Sequence, residues 1–390
     1  MEERKVRVAI TQGDTNGIGY EVIMKAFADP TMLEICTPII YGSPKIAAYH
    51  RKALDLDTNF SIINSAEEAR DGRINLLACF DEDVKVELGQ PSDEAGEAAL
   101  KAIDCAMTDY RAGGYDVLVT APINKATIKS PDFHFTGHTE YIENCVGEGH
   151  KSLMILMNET LRVALVTTHL PIKEVAAAIT KEGIIEKAAI FHHSLKRDFR
   201  ISSPRIAILA LNPHAGDDGL LGSEEKDIIM PAIEELAEKG IQAFGPFSAD
   251  GFFGSGTFQH FDGVLAMYHD QGLAPFKTIA LDSGVNFTAG LPIVRTSPDH
   301  GTAYDIAGKG KADENSMRQA IYTAIDVWRN RQNYDEPLQN PLPKLFHEKR
   351  EDVEKARFAQ PRPKDQFRRE KPAEKHGEET DEKPATKVEN

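Results

Sequence analysis

Apolar runs of strand length alternate with longer helix-patterned stretches through most of the chain, and this alternation narrows the fold more than any other feature. Val6–Thr11 reads as a strand and Gly19–Phe27 as the helix after it, with a second short strand at Pro38–Tyr41. A long amphipathic helix follows Ser92, with Ala99, Ile103 and Ala106 on one face. Tyr115–Thr120, Leu161–Thr168, Arg205–Leu211 and Gly263–Tyr268 are further strands, and Glu224–Lys239 is one of the intervening helices. Such alternation predicts an α/β fold with a largely parallel sheet. No repeat of fixed period is present.

The chain has 390 residues, 41% of them hydrophobic, enough for one large core or two of moderate size. Lys and Arg number 45 against 61 Asp and Glu, a formal charge of -16. That balance argues against nucleic acid or an anionic membrane as a partner, while leaving room for a local anion pocket. Cys36, Cys79, Cys105 and Cys145 form no CxxC pair and read as reduced thiols of a cytoplasmic protein. No leader-like segment is recognised, and no apolar run nears the roughly 20 residues that span a bilayer. Composition shifts near residue 331, and beyond Phe346 there is neither Leu nor Ile. Residues 336–390 are therefore expected to form a charged, disordered tail, because they cannot bury enough surface to offset chain entropy. A docking helix over Glu348–Phe358 is the alternative.

Three apolar strands each lead into a histidine. LRVALVTTH ends at His169, RIAILALNPH at His214 and DGVLAMYHD carries His269. Any one of them could be an ordinary loop residue. Three together, at strand ends where open α/β sheets bind ligands, point to a metal. Imidazole suits zinc and other borderline divalent ions, and three such ligands leave positions open for substrate oxygens. Asp250 and Asp270 are acidic neighbours able to orient a histidine or bind a substrate amine. FTGHTEYI places His138 and Thr139 after a glycine, where both can donate to a phosphate or carboxylate. Lys277, Asn286 and Arg295 follow His269 in a compact stretch whose glycines and Pro292 predict a rigid loop. Asn124 and Lys125 lie just past the strand ending at Thr120. The turn at Gly17 and Gly19 lacks the full G-x-G-x-x-G spacing and is a weak dinucleotide signal. Ser223, Glu224 and Glu225 read as a helix N-cap.

The runs ITQGDTNGIGYE, VTAPINKATI, FTGHTEYI, LNPHAGDDGLLGSEE, VLAMYHDQGLAPFK and TSPDHGTAYDIAGKGKAD, in this order over about residues 6–325, resemble the 4-hydroxythreonine-4-phosphate dehydrogenase family of pyridoxal phosphate synthesis. The resemblance implies an isocitrate/isopropylmalate dehydrogenase-like fold, with two α/β domains flanking a cleft, plus the charged C-terminal tail. Residues 1–130 with 280–335 would bind NAD. Residues 131–279 would carry the metal, the substrate and the dimer contacts. It implies NAD and a divalent metal (Zn, Mg or Co), and a homodimer whose active site is completed between subunits. The metal ligands would be His169, His214 and His269. The phosphorylated substrate would be held by His138, Thr139, Lys277, Asn286 and Arg295. Asn286, His300, Gly301 and Thr302 would lie around NAD, and Lys277 and Asp270 are the proton-transfer candidates. The implied reaction is NAD-dependent oxidation of 4-phosphooxy-L-threonine followed by decarboxylation. The alternative is a related acid, 4-phosphothreonate or 4-phosphoerythronate. One departure is GDTNGIGYE where the family usually has GDPAGIGPE. Thr15 and Tyr20 replace two prolines, which predicts a looser turn.

Overall fold

The computed structural model describes residues 4–80, 83–128, 137–147, 149–280 and 283–342. The tail expected at 336–390, with its alternative docking helix, lies almost wholly outside the described residues. Twelve strands occur in order: β1 Val6–Thr11, β2 Cys36–Gly42, β3 Phe60–Ile63, β4 Ile74–Ala78, β5 Val117–Thr120 and β6 Leu153–Met157. They continue as β7 Arg162–Leu165, β8 Arg205–Leu209, β9 Gln242–Phe247, β10 Gly263–Ala266, β11 Val285–Ala289 and β12 Arg295–Pro298. All join one sheet in the order β3-β4-β2-β1-β5-β12-β11-β6-β7-β10-β8-β9. The seven strands of residues 1–130 and 280–335 occupy one side of it, and the five of residues 131–279 occupy the other.

The strands within each side are parallel except at the middle, where β11 pairs antiparallel with β12 and β6, and β6 with β7. This reversal has a consequence for the expected site. The carboxyl ends of β1, β5 and β12 point one way, and those of β7, β8 and β10 point the other. The strand-end residues therefore do not share one edge, and what gathers them is a cleft running across the central strands. Asn286 and Arg295, expected in a rigid loop, stand on β11 and β12 instead, and Lys277, expected with them, stands in the helix His269–Ile279. Their segments VNFTA and RTSP carry the aromatic and β-branched residues that favour strands, and the glycine and proline between them form the connecting turn.

Helices cover both faces. The ones that shape the site are α1 Gly19–Ala26, α2 Asp93–Arg111, α3 His138–Val146, α4 Lys181–Arg197, α5 Met230–Glu238, α6 His269–Ile279 and α7 Asn315–Gln339. Ser92 caps α2 by accepting from the Ala95 amide at 3.2 Å, and Ala95, Ala98, Ala99, Ala102 and Ala106 make its buried face. Small side chains let this helix lie close to the sheet. The helix expected over Glu224–Lys239 opens as a π-helical turn, Glu225–Ile229, before α5. Ser223 and Glu224 make no side-chain cap there. α7 buries Met317, Ile321, Ala324 and Ile325 against the core, and its Arg331 forms a buried pair with Asp198 at 2.7 Å.

The turn before α1 is not loosened by its missing prolines. The Tyr20 hydroxyl donates to Gln12 Oε1 at 2.7 Å, and buried His50 places Nε2 2.7 Å from the Thr15 carbonyl. Asn16 Nδ2 donates to Gln90 O and Ser92 Oγ. Side-chain hydrogen bonds hold here what a fixed proline φ would otherwise hold. His50 had no sequence context to mark this role.

Candidate active site

A cleft of about 610 Å³ takes residues from both sides of the sheet. His138, Thr139, His169, His269, Lys277, Asn286, Arg295, His300 and Gly301 all line it. Lys125 lines it as well, as do two acidic residues the sequence reading passed over, Glu140 and Asp299.

One end of the cleft is built for anions. Arg295 is buried in β12 and donates to Thr120 Oγ1 at 2.6 and 3.1 Å and to Thr288 Oγ1 at 3.2 Å. These hydroxyls fix the guanidinium plane and leave N–H groups for a ligand. Burial lowers its pKa to about 10, against the opposing field of Glu140, so it stays cationic. His138 opens α3, and its Nε2 is shielded from solvent with no protein partner. Burial, then the Arg295 and Lys125 charges, push its pKa well below the usual histidine range, so the ring is neutral. Asn286 Oδ1 is likewise buried without a partner. A buried polar atom left unpaired costs on the order of 1–3 kcal/mol, and these atoms face a cleft that can pair them. Lys277, in the last turn of α6, lies 3.2 Å from Asp299 Oδ1 and donates to Asp299 O at 3.1 Å. Burial raises the Asp299 pKa, opposed by Lys277.

At the other end His169 and His269 face each other with ring centroids 6.1 Å apart. Two imidazoles on one ion, with metal–nitrogen bonds of about 2.1 Å, have centroids no more than about 6.5 Å apart. The 6.1 Å separation lies inside that bound, so the two rings could share a divalent ion at a wide nitrogen–metal–nitrogen angle. His269 Nδ1 lies 2.7 Å from Asp270 Oδ1, and the Asp270 side chain is otherwise 86% exposed. His214 does not join them. Among the described residues no three His, Cys, Asp or Glu side chains gather at metal-binding distance within this chain.

His214 instead stands exposed at the start of an unusual turn. Residues 214–218 are five in succession with positive φ, from 45° to 80°. Left-handed backbone costs about 1–2 kcal/mol per non-glycine residue, and four of the five are non-glycine. Buried Glu225 holds the approach to this turn, accepting from the Leu211 and Asn212 amides at 2.8 and 2.7 Å and from Asn212 Nδ2 at 3.0 Å. That is the role of the acidic residue expected to belong to a cap. The Ser248 hydroxyl, the Gly251 amide and the His214 field hold Asp250 below the usual carboxylate range.

A second cavity of about 310 Å³ adjoins the cleft through Lys277, Asp299 and His300. Ile18, Ala303 and Ile306 give it apolar walls, and Asp313 adds a carboxylate. The glycine turn meets the His300–Ala303 segment here. The Ile18 amide donates to the Thr302 carbonyl at 3.1 Å, and a Cβ on Gly17 would sit 2.8 Å from that oxygen. His300 Nε2 is buried without a partner. Apolar walls for a flat base, with carboxylates for ribose hydroxyls, fit a dinucleotide.

The family model for the pyridoxal phosphate biosynthetic protein PdxA matches residues 34–324. The chain belongs to the PdxA family. A 4-hydroxythreonine-4-phosphate dehydrogenase of Bacteroides thetaiotaomicron is 64% identical over 358 residues, covering 92% of this chain and 98% of that one. The enzyme of the same name from a Sulfurihydrogenibium species is 43% identical, covering 84% and 99%. The crystal structure of 4-hydroxythreonine-4-phosphate dehydrogenase from Klebsiella pneumoniae aligns with a TM-score of 0.71 at 32% identity, covering 83% of this chain and all of that one. Among the described residues no helix is long and apolar enough to cross a membrane.

Proposed function

We propose that this PdxA-family chain is a cytoplasmic dehydrogenase. It oxidises 4-phosphooxy-L-threonine with NAD to 2-amino-3-oxo-4-(phosphooxy)butanoate, which loses carbon dioxide to give 3-amino-2-oxopropyl phosphate. The observation that carries this reading is a single cleft that holds the buried Arg295 guanidinium with N–H groups left over, the unpartnered His138 Nε2 and two facing imidazoles. His138 and Arg295, with Thr139 and Asn286, bind the phosphate end and exclude water from it. Lys277, paired with Asp299, reaches the substrate carboxylate, or takes the hydroxyl proton after passing one of its own to Asp299. His169, His269 and a second subunit's copy of His214 would hold the divalent ion, with Asp270 orienting His269. When bound, the ion polarises the substrate hydroxyl and NAD accepts the hydride. His300 lines the dinucleotide's cavity, Thr302 holds its wall through the Ile18 amide, and Gly301 lines the substrate cleft.

Two measurements test this. NADH absorbance is followed with 4-phosphooxy-L-threonine, 4-phosphothreonate and 4-phosphoerythronate. The highest kcat/KM is expected for the first, and a higher value for either acid rejects the assignment. Separately inactive His169→Ala and His214→Ala proteins are then mixed and allowed to exchange subunits. About a quarter of wild-type activity is expected, because half the dimers are mixed and each holds one intact site. No recovery, with mixed dimers demonstrated, rejects the shared metal site.

A further inference from the structure

Each facing histidine turns its Nδ1 toward a carboxylate. His269 has Asp270 Oδ1 at 2.7 Å, and His169 has Glu140 Oε1 at 3.9 Å. An imidazole whose Nδ1–H faces a carboxylate presents Nε2 as its lone-pair nitrogen, and that partner fixes tautomer and ring orientation. Asp270 is the chain neighbour of the ring it holds. Glu140 is not. It belongs to α3, the helix that also carries His138 and Thr139. Its surroundings argue that its charge is needed there. Lys125 Nζ and Glu140 Oε2 both approach Gly137, lying 3.2 and 3.5 Å from where a Cβ would stand. The fields of Glu140 and Lys125 act on His169 in opposite directions, and Glu140 also acts on Arg295. The carboxylate thus lies close to His169 and against the same glycine as Lys125. At 3.9 Å the contact is an ion-pair separation longer than a hydrogen bond, and both side chains are partly exposed, 43% for His169 and 38% for Glu140, and so not locked by packing.

We propose that Glu140 is the positioning residue of His169. Its carboxylate accepts the Nδ1–H, aims Nε2 into the cleft, and ties the metal end to the helix that holds the substrate phosphate. This rests on the metal reading above, and the test separates the two.

Metal-stripped full-length wild type, Glu140→Gln, Glu140→Asp and His169→Ala are titrated with Co²⁺ against a competing chelator, beside steady-state kinetics and thermal melts. Wild type binds Co²⁺ and His169→Ala binds it far more weakly. Glu140→Gln, which keeps size and loses charge, weakens Co²⁺ about 10–100-fold. Glu140→Asp recovers part of that loss, and the KM for phosphorylated substrate at saturating Co²⁺ stays within about twofold. Should Glu140→Gln melt well below wild type, the comparison is made on Glu140→Asp, with a smaller loss of the same sign expected. Wild-type Co²⁺ affinity in the Glu140 variants overturns the proposal alone, and a raised KM beside it assigns Glu140 to the substrate ammonium. Failure of wild type to bind Co²⁺, or full affinity in His169→Ala, overturns the metal reading and this inference with it.

Discussion

Arg295 shows how a single position can be buried, charged and still available to a ligand. Its guanidinium is fixed by threonine hydroxyls from β5 and β11 rather than by a carboxylate, so no full counter-charge is bound to it. Replacing it by lysine keeps the charge and loses the planar fork. Arg295→Lys is expected to raise the KM for phosphorylated substrate about 10–100-fold, the value of one or two charge-assisted hydrogen bonds, with Co²⁺ affinity unchanged. An unaltered KM would remove Arg295 from the anion site. His138 gives a pH signature. Burial depresses its folded-state pKa below the unfolded value of about 6.5, so between those values the unfolded chain binds the extra proton. The stability this group contributes is complete above about pH 6.5 and is lost as pH falls toward the depressed value. Thermal midpoints measured from pH 7.5 to 5.5 should fall less steeply in His138→Gln than in wild type. Parallel curves would show that the ring is not held neutral.

At the scale of elements, the left-handed turn at 214–218 is the most expensive piece of backbone in the site, and one carboxylate secures its approach. Glu225→Ala leaves the Leu211 and Asn212 amides unpaired, a cost of about 2–4 kcal/mol. A lower thermal midpoint is expected together with loss of turnover, while substrate-independent NAD binding persists. A variant that melts lower yet turns over normally would show that the turn does not position His214. This turn also marks where sequence reading stops. The β7, β8 and β10 strands were legible because each apolar run ends abruptly in a histidine segment. The β11–β12 pair was not, because Gly290 and Pro292 suggest a loop when the partner strands are unseen. The LMILM run of β6 is equally compatible with helix or strand by pattern alone. His169, His269 and the anion-binding residues could be nominated from local motifs. Glu140, Asp299 and Glu225 could not, since each acts on a residue distant in sequence or lies in a helix turn where acids are commonplace.

At the scale of the whole molecule, one chain brings together two of the three histidines of the proposed metal site, His169 and His269, and leaves His214 apart. Two pairs of exposed aliphatic side chains lie in sequence just after the two histidines that do not meet. Leu170 and Ile172 follow His169, and Leu220 and Leu221 follow His214. Ile172 is 72% exposed and Leu220 79%, and each has a second exposed aliphatic side chain within two residues, Leu170 and Leu221. In the two-fold dimer of the proposed function, the surface carrying His214 on one subunit would meet the surface carrying His169 and His269 on the other, and the reverse contact would follow by symmetry. Burying these aliphatics would then be the same event as completing the site. Placing Glu at both Ile172 and Leu220 sets charge into that contact without touching any proposed ligand. The double variant is expected to sediment at half the wild-type mass with an unchanged circular dichroism spectrum. Its Co²⁺ affinity should fall by at least about tenfold, since one of three imidazoles is withdrawn. A folded monomer that keeps wild-type Co²⁺ affinity and turnover would mean that one chain suffices, and the left-handed turn at His214 would then need another explanation.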